Sequence, residues 1–147
     1  MSAWLSDPEE RLFAKMSRAD QRHALGVARA VEPRLDEIVA DRRSVVMAAA
    51  VLHDVGKTAA GLGTYGRSVA TMSGLVGGYD MAEVWQDRSG FTRRVGLYLR
   101  YGDLGADMLR LAGSDPWVVA WSVEHHLPAE LWSIPIDVGE ILAEADH

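Results

Sequence analysis

Val45-Val46-Met47-Ala48-Ala49-Ala50-Val51-Leu52, followed at once by His53-Asp54-Val55-Gly56-Lys57, is the stretch on which the fold turns. The first eight residues are apolar on every face, so the segment is buried all round, and periodicity alone does not separate helix from strand in such a run. Met47 and the three successive alanines favour a helix. The spacing therefore predicts a buried central helix that ends in two polar side chains. A carboxylate placed there has to be paired or bound to a cation, because an isolated buried charge costs several kcal/mol. The plainer alternative is a helix-ending Asp beside a surface His.

Upstream, Ser6-Asp7-Pro8-Glu9 reads as a capping box with proline in the first turn, opening a helix over about 7–17. A second helix is expected over about 19–31, stopping before Pro33 because proline disfavours helix at Glu32 and lacks a backbone donor. A short helix over 34–39 follows. Downstream, Gly56, Gly61, Gly63 and Gly66 mark a loop, 68–75 reads as helical, and Gly77-Gly78 breaks the chain again. Two more helices are expected over 91–100 and 103–112, the latter closed by Gly113. Asp115-Pro116 supplies an N-cap and a first-turn proline for a helix reaching His125-His126 before Pro128. The last helix, about 137–146, buries Val138, Ile141, Leu142 and Ala145. No alternating strand with a two-residue turn and no internal repeat occurs, so the expected fold is an all-α, single-domain helical bundle over 1–147.

The 147-residue chain is 48% apolar and 24% charged, within the soluble globular range. A net charge of −6 and a pI near 5.3 argue against a general nucleic-acid binder, which needs clustered Lys and Arg. Cysteine is absent, so a transition metal would be held by His and carboxylates alone. The first ten residues lack a signal peptide's basic start and apolar stretch, and the eight-residue apolar run falls far short of the roughly 20 that span a bilayer. A cytoplasmic location without membrane attachment is the expectation.

Candidate ligands flank the central helix. His23 lies in line with Val27 and Ala30, and so is read as facing packed apolar neighbours, where a core histidine is the alternative. Asp146 sits at the rim of the last helix's apolar face, where a solvated carboxylate is the alternative. The order is an early His, then His-Asp ending a buried helix, then an Asp closing the final helix.

In that order, and in His23-Ala-Leu-Gly-Val-Ala-Arg-Ala30, Ala50-Val-Leu-His-Asp-Val-Gly-Lys57 and Glu140-Ile-Leu-Ala-Glu-Ala-Asp146, the chain resembles the HD superfamily of metal-dependent phosphohydrolases. The resemblance covers roughly residues 20–146. It implies that His23, His53, Asp54 and Asp146 hold a divalent ion, about one per chain, with Mn, Fe, Co, Ni and Mg all compatible with those ligands. It further implies hydrolysis of a small phosphate ester such as a nucleotide by metal-activated water, with Asp54, Lys57, His125 and His126 as catalytic groups. Lys57, Thr58 and Arg67 are the candidate phosphate binders. Gly56-Lys57-Thr58 is not a Walker A loop, because Val51 occupies the position that needs glycine.

Some HD families bind a second metal through extra histidines. This chain has the His125-His126 pair but carries Tyr101 where another His is expected. A phenol with a pKa near 10 is a poor replacement for a neutral imidazole. That departure leaves a second reading: an HD-type regulatory or binding domain that keeps a metal site without turnover. The five tryptophans are candidates for a partner surface, which leaves a homodimer open.

Overall fold

Ser6 begins the first helix by satisfying backbone groups that a helix start leaves bare. In the computed structural model, which describes residues 3–60 and 103–147, Ser6 Oγ accepts from Glu9 N at 3.3 Å. Glu9 Oε2 accepts from Ser6 N at 2.9 Å, completing the box that opens α1 (Asp7–Ala14). The expected continuation to Ser17 does not occur. Ser17 instead caps α2 (Arg18–Val31), taking Asp20 N at 3.1 Å, and an N-cap residue leaves the helical conformation.

The buried stripe of α2 is Ala24, Val27, Ala28 and Val31, a one-sided helical repeat. This corrects the expectation for His23, which precedes the stripe: its side chain and Ala30 lie on the exposed side. The helix ends at Val31, before Pro33 as expected, but Glu32 corrects the reason given for it. It keeps right-handed helical backbone angles (φ −51°, ψ −45°), and Pro33 falls in the first turn of a 3-10 segment, Glu32–Glu37, where the missing N–H costs nothing. That segment takes the place of the helix expected over 34–39.

The central apolar run is α3 (Arg43–Leu52). Val46 through Leu52 are all at most 3% exposed, so every face of the helix is covered, as the unpatterned apolar sequence requires. Its main neighbours are α2 and α5 (Pro116–Glu124), with α1 and α6 (Ile136–Ala145) touching it as well. Helix α4 spans 103–111 and ends at Gly113, whose φ of +76° is the left-handed cap conformation that glycine adopts without strain. Gly113 N donates to Arg110 O and Ser114 N to Leu109 O, the paired bonds of a Schellman motif. Six α-helices and no strand are present among the described residues, and no helix there is long and apolar enough to cross a membrane. The helices expected over 68–75 and 91–100 lie outside the described residues.

All four described tryptophans pack on the core, Trp121 buried and Trp4, Trp117 and Trp132 half-buried. Trp117 lies under Arg42, whose guanidinium carbon is 3.8 Å from the ring centre. Arg42 also holds the α5 cap Asp115 with two bonds, at 2.8 and 3.0 Å, while Asp115 Oδ1 accepts from Trp117 N. Partial burial alone would raise the Asp115 pKa, but the Arg42 guanidinium and the Trp117 N–H outweigh it and hold the carboxyl below its ordinary value. A depressed carboxyl stabilises the fold above its unfolded pKa and loses that contribution as pH falls through the folded value. Asp115→Ala should cost about 1–2 kcal/mol at pH 7, and the gap to the parent in urea melts should narrow as pH drops below about 4. A gap that is constant with pH would remove the charge from the explanation.

Candidate metal centre

Three helix C-termini meet at one place, and a helix C-terminus presents bare carbonyls and partial negative charge that favour a cation. His53 is the C-cap of α3 and Asp54 follows it; His125 is the C-cap of α5; Asp146 is the C-cap of α6. His23, from the second turn of α2, closes the group from the solvent side. His23 Nε2 lies 2.8 Å from Asp146 Oδ1, with the two side chains 45% and 30% exposed, so they form the mouth of the site. His53 and Asp54 form its floor, at 3% and 8% exposed.

Each buried imidazole is aimed by a backbone carbonyl of its own helix. His53 Nδ1–H donates to Ala50 O and His125 Nδ1–H donates to Trp121 O, both at 2.8 Å. That leaves Nε2 of each ring facing inward. His53 Nε2 stands 3.4 Å from Asp54 Oδ2 and 3.5 Å from Asp146 Oδ1, and His125 Nε2 stands 3.5 Å from Asp54 Oδ1. Both Nε2 atoms are buried without a hydrogen-bond partner. Two such atoms converging on carboxylates are what a cation with a taste for imidazole and carboxylate would satisfy.

The ligand atoms fall into two sets, each within 4.8 Å of one another: His23, His53 and Asp54, and Asp54, His125 and His126. Asp54 belongs to both. Asp146 joins the first through its contacts with His23 and His53. The residues present therefore fit a divalent ion.

The electrostatics point the same way. Burial opposes a charge on His53, yet Asp146 and Asp54 overcome it and push its pKa up to about 10. The carboxylates thus demand a positive charge between them, which a proton or a metal ion can meet in competition. Burial alone would raise Asp54, but His125, His53 and Lys57 beside it hold the carboxyl far below the ordinary range. Asp146 is likewise depressed, chiefly by His53 against the effect of burial. His126 is exposed at the rim, but the part of its ring shielded from water and the neighbouring His125 lower it to about 4, so it is neutral at pH 7 and suited to ligation more than to donating a proton.

Lys57 Nζ sits 2.8 Å from Asp54 Oδ2, on the 3-10 segment Val55–Ala60 that continues from the His-Asp pair. Thr58 follows it on that segment, while Arg67 and Tyr101 lie outside the described residues. The structure thus brings together His23, His53, Asp54, Lys57, His125, His126 and Asp146. Sequence reasoning missed the parts that set the geometry. Among them is Gly105 of α4, where a Cβ would come within 3.0 Å of Gly56 N and 3.3 Å of Gly56 Cα. Backbone meets backbone there, so Gly105→Val should push the Val55–Ala60 segment outward and cost about 1–3 kcal/mol in urea melts. Parent-like stability would mean that the contact yields.

Fold and site together define a small protein, all-helical in its described residues, with His/Asp clusters able to hold a metal ion. Comparison with protein-family models, with curated proteins and with solved structures gave no match.

Proposed function

We propose that this chain is a metal-dependent phosphohydrolase of the HD type that cleaves a small phosphate ester, in the first instance a nucleotide. The observation that supports it is the pair of buried, unpartnered Nε2 atoms of His53 and His125 on either side of Asp54. His23, His53, Asp54 and Asp146 would hold the ion, about one per chain. A divalent ion in such a site supplies an acidified water and draws charge from the phosphoryl oxygens.

The rest is done by side chains. Asp54, kept far below the ordinary carboxylate range, stays an anion: it ligates and orients rather than taking up a proton. His125, whose Nε2 stands 3.5 Å from Asp54 Oδ1 and shares a ligand set with it, would be a further ligand to the ion. Lys57 exchanges Asp54 for the phosphoryl oxygens when substrate arrives, with Thr58 and Arg67 as further phosphate binders. His126 contributes as a neutral ligand or hydrogen-bond partner. The chain's acidity favours small substrates over long nucleic acids.

Protein loaded in turn with Mn, Co, Ni and Mg should hydrolyse at least one substrate in a panel of phosphomonoesters, nucleotides and dinucleoside polyphosphates. Bound metal with no turnover on any of them would favour the non-catalytic binding domain instead, the reading to which Tyr101 lends weight.

A further inference from the structure

Trp132 lies outside the ligand set, yet its one polar atom reaches both sides of the histidine pair. Nε1–H is shared between Glu124 O and Leu127 O, at 3.0 Å each, and these carbonyls bracket His125 and His126. Glu124 closes α5 and Leu127 stands in the turn after it, where Glu124 O also accepts from Leu127 N at 2.8 Å. The neighbouring Ser133 adds its backbone N and Oγ to the Glu124 carboxylate, at 2.8 and 2.6 Å, so the same turn is held at a second point.

The indole is itself fixed. Its edge meets Trp121 at 5.2 Å between ring centres, and Trp121 is the residue whose carbonyl aims His125. Its six-membered ring fills the notch left by Gly139 of α6, where a Cβ would come within 2.6 Å of Cζ3 and 3.1 Å of Cδ2. One side chain thus ties the helix that carries Asp146 to the turn that carries His125 and His126.

Resting on the metal centre proposed above, we infer that Trp132 is a positioning residue for that centre: its N–H holds the turn that points His125 Nε2 at Asp54. Side chains one step behind the ligands commonly change metal affinity by about 10–100-fold when removed. Trp132 differs from the usual case in acting on the backbone around the ligand instead of on its ring.

The test is a double-mutant cycle read by Co(II) binding, with Trp132→Phe and His125→Ala made singly and together. Trp132→Phe should weaken Co(II) binding about 10-fold and alter the visible Co(II) absorption. In the His125→Ala background the loss should be clearly smaller, because the imidazole that the turn aims at Asp54 is gone and only His126 remains on it. An equal loss in both backgrounds would assign Trp132 a purely structural role and overturn the inference, as would parent-like affinity in Trp132→Phe. If Trp132→Phe fails to fold, β-(3-benzothienyl)alanine at position 132 keeps the ring shape and removes only the N–H donor, and the same outcomes apply. A parent protein that binds no Co(II) would contradict the metal centre itself, a result distinct from either.

Discussion

On the proposed function, Asp54→Ala should abolish phosphate-ester hydrolysis, a larger loss than the about 10–100-fold that removing a mere supporter of a metal ligand costs. The reason is position: Asp54 is common to both ligand sets and faces His53, His125 and Lys57 at once. The same change lowers the stability of the metal-free protein. Removing one partner of a buried pair costs about 3–5 kcal/mol when the other charge is trapped. The cost here falls below that, because Lys57 is 29% exposed and can reach water, and His53 keeps Asp146 as a counter-charge. Circular dichroism should report a retained helical fold with a lower Tm. A metal-loaded variant that turns over at the parent rate would remove Asp54 from the mechanism.

Gly139→Ala is the second large effect, and it runs against helix propensity. Glycine inside α6 costs about 1 kcal/mol relative to alanine, so on an open helix face the substitution would stabilise. Here the added methyl overlaps the Trp132 ring, which two hydrogen bonds and the Trp121 edge keep from moving aside. Overpacking of this kind costs about 1–3 kcal/mol, and the expected result is a Tm lower by several degrees. Trp132 fluorescence should shift as the indole leaves its notch. A Tm at or above the parent's would mean that the ring has room to retreat.

Much of this was legible in the sequence because it depends on local chemistry. The Ser6 box, the Asp115-Pro116 start and the Gly113 stop are decided within a few residues, and the apolar run ending in His53-Asp54 has to be buried wherever it lies. The order of His and Asp suggested a cluster, and the folded chain brings those side chains together. What escaped depends on tertiary packing. His23 was assigned to the packed face because Val27 lies four residues on, but the buried stripe of α2 is set by what α3 presents to it, and it starts at Ala24. That offset turns His23 outward, where it can close the site's mouth on Asp146. The contact of Trp132 with Gly139 is equally invisible: a glycine inside a helix signals a close approach without saying to what. The pairing of Lys57 with Asp54 is at i, i+3 and could have been anticipated from the short spacing.

Elemental analysis of purified protein, as isolated and after incubation with Mn, Co or Ni followed by removal of free ion, addresses the central claim most directly. The proposed function predicts about one ion per chain, lost in His53→Ala and Asp54→Ala. A well-folded parent protein that neither retains a metal nor gains one on titration would contradict it.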